Sequence, residues 1–142
     1  MRQIIKHNYS GKSLLKLREK FGIGEKGFYN NDWWLKEDFA KEKALKGTYA
    51  IEFHQDWNNF NYQEQLNKMD KDSEFLHPAV LVEAILTHYK KTGERLMENW
   101  YSRTQSVVSG GNRVDVGYFD SEGLDIDVWW GDSRSDGLGV SS

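Results

Sequence analysis

The chain has 142 residues, of which 38% are apolar, 29% are charged and 14% are aromatic. It contains no cysteine, which excludes disulfide bonds and thiolate zinc sites, and no apolar run is long enough to predict a transmembrane helix. The net charge of −3 is unevenly distributed, because residues 1–46 carry eleven Lys and Arg against six Asp and Glu, whereas residues 113–142 carry two against seven.

The length predicts a single domain over residues 1–142. The N-terminal lysines alternate with glutamates, which is typical of solvated helix faces, and this pattern argues against a nucleic-acid partner. The first residues lack the apolar core of a secretory signal, so we expect a cytoplasmic protein without a membrane partner.

In chain order, residues 2–9 predict a strand and residues 14–21 a helix that Ser13 caps and Gly22 ends. The intervening "SGKS" resembles part of a phosphate loop, but Lys6 stands where that motif requires a glycine. A loop with a short helix over 30–47, a strand over 48–53 and a helix over 61–69 follow.

The clearest element is a helix that begins at Pro78 and stops at Gly93. Apolar residues cover most of its circumference and leave mainly Glu83, Thr87 and Lys90 for water, which predicts the central core helix. Residues 94–101 predict a further helical stretch.

From Tyr101 the apolar pattern has a period of two. Residues 113–119 place Val114, Val116 and Tyr118 on one face, and residues 124–130 alternate in the same way. Turn sequences lie at 109–112 and 120–123, and "GLGV" at 137–140 predicts a last strand. The predicted fold is therefore α+β: an antiparallel C-terminal β-meander of three or four strands, packed against the central helix and shorter N-terminal helices.

The same alternation predicts a polar outer face. If Leu124, Ile126, Val128 and Trp130 point inward, then Asp125, Asp127 and Trp129 point outward. Aligning the apolar faces of the hairpin places Asp115 opposite Asp127 or diagonal to it, also facing outward. Like charges so close destabilise a sheet, so water and salt, Arg103 or Arg113, a bound cation or a partner must offset the repulsion.

A calcium ion is the candidate cation, because carboxylates two residues apart along a strand supply oxygen ligands. Arg134 occupies a ligand position of a calcium loop in "DSRSDG", however, and no cofactor is expected. His7, His54, His77 and His88 are scattered and have no metal-binding spacing. We expect His88 to be a hydrogen-bonded core residue and His77 to lie at the helix start.

The C-terminal "WWGDSRSDGLGV" resembles the end of C-type-lectin-like domains of the formylglycine-enzyme type and of the variable proteins of diversity-generating retroelements. The matching positions are Trp130, Arg134, Gly139 and Val140. The resemblance covers about the last 30 residues and implies a display scaffold whose last strand pairs with the first. The catalytic cysteines of that family are absent here, so the resemblance implies no enzymatic activity.

The leading interpretation is a non-enzymatic domain that binds a protein or carbohydrate ligand through an acidic and aromatic sheet surface. The residues expected to form this surface are Asp115, Asp125, Asp127, Trp129, Asp132, Ser133, Asn112 and Ser121. The alternatives are a cation-dependent hydrolase that uses the three aspartates of the strands, and a phage-type inhibitor or nucleic-acid mimic.

Overall fold

A computed structural model of the chain describes residues 2–142. Within these residues the helices and strands follow one another as β1 (Ile4–Tyr9), α1 (Leu14–Phe21), α2 (Asp38–Lys41), β2 (Gly47–His54), a 3₁₀ turn (Gln55–Trp57), α3 (Tyr62–Lys68), α4 (Pro78–Thr92), β3 (Tyr101–Val107), β4 (Arg113–Asp120), β5 (Gly123–Trp129) and β6 (Leu138–Ser141). The α+β prediction is confirmed.

The six strands form one mixed sheet in the order β1-β2-β6-β3-β4-β5. Strands β3, β4 and β5 are the predicted antiparallel meander. The last strand does not extend it, since β6 lies between β2 and β3 and runs parallel to β3. The expected pairing of the last strand with the first is also wrong, because β1 pairs only with β2 among the strands described.

Helix α4 is the central core helix, as predicted. His77 caps its first turn by accepting from the Ala79 amide at 3.0 Å, Pro78 starts it, and Gly93 ends it in the left-handed conformation at φ 75°. Glu83 was expected to face water, but it is only 2% exposed. Its carboxylate accepts from the backbone and hydroxyl of Ser10 and lies 2.6 Å from Nε2 of His7, which ties α4 to β1.

The predicted helical stretch at 94–101 is wrong. These residues form turns that lead into β3, and Met97 has a positive φ of 58°, which an α-helix does not accommodate. Leu96, Met97 and Trp100 are nevertheless buried and contribute to the core.

A bulge in β4 changes which side chains reach the core. The register with β5 shifts between Gly117 and Asp120, and Tyr118 has a φ of 48°. As a result Phe119 is buried, and the predicted core residue Tyr118 is 40% exposed.

The sheet is covered on both faces, whereas the sequence predicted helices on one face only. Val114, Val116 and Ile126 point towards the layer of α4 and belong to the main core. On the opposite face, α3 and the connection between β5 and β6 lie over β3. The Arg103 side chain of β3 points to this face and bonds to both of them.

Candidate acidic site on the second face of the sheet

The site consists of rows of side chains that cross β3, β4 and β5 on this second face. In one row Tyr101 is paired with Gly117 and Gly117 with Asp125. In the next row Arg103 is paired with Asp115 and Asp115 with Asp127, which confirms the predicted opposition of the two carboxylates. We call the side chains of Tyr101, Arg103, Asp115, Asp125, Asp127 and Trp129 the acidic face.

Asp115 faces this side but is not exposed, contrary to the prediction. It has no accessible surface, and neither of its carboxylate oxygens has a hydrogen-bond partner within residues 2–142. Burial raises the pKa of Asp115 well above its ordinary value, the nearby Arg103 opposes this change, and the Asp127 charge adds to it. Helix α3 and Ser133 bond to Arg103, the neighbour of Asp115 in this row, and so cover the β3 end of the row, whereas Asp127 at the β5 end is half-buried.

Arg103 is the residue that joins these layers. Its guanidinium donates to the carbonyl of Phe60 at 3.0 Å, to Oε1 of Gln65 at 2.8 Å and to the carbonyl of Ser133 at 2.7 Å. From the sequence, Arg103 was expected only as a possible counter-charge for the aspartates. Its hydrogen bonds instead go to neutral acceptors, so its charge acts on Asp115 through space.

Asp125 is half-buried and held in a fixed position. Its carboxylate accepts from the Tyr101 hydroxyl at 2.6 Å and from the Asn31 amide at 2.7 Å. Burial raises the pKa of Asp125, and the Asp127 charge does so too, while the two hydrogen bonds oppose the rise. Sequence reasoning missed both partners, since Asn31 lies 94 positions away and nothing in its surroundings marks it.

Asp127 is the second carboxylate of β5. It is half-buried, and its side chain accepts from the neighbouring Val128 amide at 2.8 Å. Within the described part of the chain, neither Asp127 nor Asp125 forms an ion pair. Arg113, expected as a possible counter-charge, lies 3.8 Å from the centre of the Tyr62 ring and donates to a backbone carbonyl.

Trp129 lies on the predicted face of β5 but is less exposed than expected, and Trp130, which was expected to point inward, is exposed. Trp129 is half-buried, with its ring 6.4 Å from that of Tyr101, whereas Trp130 is 67% exposed. Strand β5 ends at Trp129, so the two-residue alternation no longer governs Trp130. Trp33 adds a further exposed ring, fixed at the edge of β5 by a 2.9 Å bond from its indole N–H to the Ile126 carbonyl.

The predicted loop residues do not all gather at this site. Asn112 is half-buried in the turn before β4, and Asp132 and Ser133 follow β5, so these three lie at the same end of the β4–β5 hairpin. Ser121 is exposed in the turn at the opposite end. It therefore does not adjoin the other loop residues.

The four histidines contact other groups. His7 pairs with Glu83, His54 stacks on Trp57 at 3.8 Å, His77 caps α4, and His88 lies 2.7 Å from a carboxylate oxygen of Glu94. His88 is therefore hydrogen-bonded as expected, but it is half-buried and not a core residue, and its partner is an exposed carboxylate. Among residues 2–142 no group of three or more His, Asp or Glu side chains has an arrangement that could hold a metal ion.

Comparisons with protein-family models, curated proteins and solved structures found no match to this chain. No helix within residues 2–142 has the length and apolar character needed to cross a membrane.

Proposed function

We propose that the protein is a non-enzymatic binding domain whose acidic face takes a basic segment of a protein partner. The observation that carries the proposal is the pair of half-buried carboxylates on β5. Asp125 and Asp127 lie two residues apart on one face, and neither has an ion-pair partner within the described residues.

The surroundings of this pair fit a lysine or arginine side chain. Such a cation forms charge-assisted hydrogen bonds with carboxylates and is attracted to aromatic ring faces. Trp129 follows Asp127 on the same face, and the Tyr101 ring lies 4.7 Å from that of Tyr118. Rigid rings beside polar groups are common in protein-binding surfaces.

The face is also organised before any partner arrives. Asp125 is already oriented by Tyr101 and Asn31, and the indole of Trp33 is already bonded to β5. Binding therefore loses less conformational entropy than it would on a mobile loop. The resemblance of the C-terminal segment to lectin-like display scaffolds remains a prediction. A display scaffold would be consistent with this use of the acidic face.

The test is a peptide array in which every sequence containing Arg or Lys is paired with a copy carrying Gln at those positions. We expect the wild-type protein to retain only the basic copies. Retention should fall as salt rises from about 0.1 M to about 1 M, because the screening length shortens from ~10 Å to ~3 Å.

The matched variants are Asp127→Asn, which removes one charge from the acidic face, and Asp72→Asn, which removes one from an exposed loop elsewhere. We expect Asp127→Asn to lower the affinity for the retained peptides about tenfold, which is ~1.4 kcal/mol. Asp72→Asn should leave this affinity unchanged. Equal retention by both variants, or retention of Gln copies, contradicts the proposal. A glycan array bound in a Trp130-dependent manner would instead support a carbohydrate ligand.

A further inference from the structure

A cavity of about 990 Å³ lies apart from the acidic face. It is bordered by residues 2–4 at the start of β1, by the end of β2 with its 3₁₀ turn, and by the connection between α4 and β3. Its apolar wall consists of Phe53, Leu96, Met97 and Trp100, each at most 6% exposed. The remaining side chains that line it are mainly polar, so the cavity suits a ligand with both an apolar and a polar part.

The apolar wall is firmly built. A Cβ on Gly139 would lie 2.7 Å from the Trp100 ring and 2.6 Å from the carbonyl oxygen of His54, so the ring packs directly on the glycine backbone. Met97 holds its place with a positive φ of 58°. Non-glycine residues in this conformation are uncommon and are enriched at functional sites.

The polar rim holds a guanidinium group that belongs to the chain itself. Arg2 binds both carboxylate oxygens of Asp56, at 3.0 and 2.9 Å, and one carboxylate oxygen of Glu52 at 3.3 Å. The same guanidinium lies 5.2 Å from the centre of the Trp57 ring. Glu52 and Asp56 both line the cavity, and two carboxylates form a suitable receptor for a planar cation.

The charges favour a cation from outside. Arg2 neutralises only one of the two rim carboxylates, and its side chain is 37% exposed, so the internal pairing is in contact with water and open to competition. An external guanidinium with an apolar body would make the same contacts with Asp56 and would also fill the apolar part of the cavity.

We propose that this cavity binds a small organic cation, in which a guanidinium group is joined to an apolar body, and that Arg2 is its internal competitor. If Arg2 and Asp56 form only a surface ion pair without a binding role, removing Arg2 should create no affinity for any ligand.

The experiment measures binding of benzoyl-arginine amide by calorimetry, with benzoyl-citrulline amide as the uncharged probe of equal shape. We expect Arg2→Ala to bind the arginine probe about tenfold more tightly than the wild type, since the competitor is gone. Arg134→Ala is the matched control, because it removes a comparable exposed arginine that pairs with Glu64 at 2.9 Å, and we expect it to bind as the wild type does.

The double variant Arg2→Ala, Asp56→Asn should lose this gain, because the bidentate acceptor is removed. No saturable binding by Arg2→Ala at millimolar probe, or binding no tighter than that of Arg134→Ala, overturns the proposal. Equal affinity for the citrulline probe overturns the assignment of a cation. Unchanged unfolding midpoints of the variants show that the fold is intact, and none of the variants alters the acidic face.

Discussion

We expect the buried histidine at the start of α4, His77, to make the protein less stable in acid. Nδ1 of His77 accepts from the Ala79 amide, which requires the neutral ring, and Nε2 is buried without a partner within the described residues. Burial lowers the pKa of His77 from 6.5 to about 4, and the positive end of the helix dipole acts in the same direction. The unfolded chain therefore binds a proton more readily than the folded one between these two values.

The free energy of unfolding should therefore fall as the pH is lowered, because stability decreases with pH wherever the unfolded state binds more protons than the folded state. The lowered pKa corresponds to a loss of about 3 kcal/mol once both states are protonated, at ~1.4 kcal/mol per unit. About 2.5 kcal/mol of it is already lost between pH ~7.5 and pH ~4.5.

The variant His77→Asn isolates this contribution, because asparagine caps helices well but does not titrate. Urea unfolding followed by tryptophan fluorescence should show that the wild type loses about 2.5 kcal/mol more than the variant over this pH range. Other titrating groups are common to both proteins and cancel in the difference. Equal losses in the two proteins would refute the assignment of acid sensitivity to His77.

Three further predictions use the same unfolding assay. Asp115→Asn should gain stability relative to the wild type as pH rises from about 4, because the folded pKa of Asp115 lies above the unfolded one; a pH-independent difference would contradict this. Gly139→Ala should cost about 1–3 kcal/mol through overpacking, whereas Gly110→Ala, with open space around the added Cβ, should stay within about 0.5 kcal/mol; equal effects would refute the packing argument. Glu83→Gln should cost about 1–3 kcal/mol near neutral pH by disrupting the pair with His7. This cost should shrink as pH falls, because the hydrogen bonds from His7 and Ser10 lower the folded pKa of Glu83 and the wild-type carboxylate keeps its advantage only while ionised. An equal cost in acid would argue against this role of the Glu83 charge.

Much of the fold follows from local pattern. Helix α4 could be predicted because a long apolar stretch lies between Pro78 and Gly93, and both residues act through the backbone at the helix ends. The β4–β5 hairpin could be predicted from its alternation and its turn, and Asp115 lies opposite Asp127 as expected. These features depend on residues close in sequence.

The errors arise where distant segments determine the outcome. Glu83 can be buried because His7 of β1 and Ser10, which follows that strand, supply its partners, and the pattern of α4 alone gives no sign of them. The placement of β6 between β2 and β3 also depends on tertiary pairing. At the site, Trp130 is exposed because the strand has already ended, and element ends are poorly defined by periodicity.

Burial of Asp115 has a physical consequence for the proposed binding surface. A single polar layer spans from Gln65 of α3 through Arg103 to the aspartates of β4 and β5. The inner end of this layer is closed and rigid, because Gln65 also donates to the carbonyls of Trp57 and Leu138. Only the outer end, at Asp125 and Asp127, remains accessible. The charge of a bound cation would therefore act on the carboxyl group of Asp115, which water does not reach. Binding of a basic partner should lower the pKa of Asp115 and release protons at pH values near that pKa.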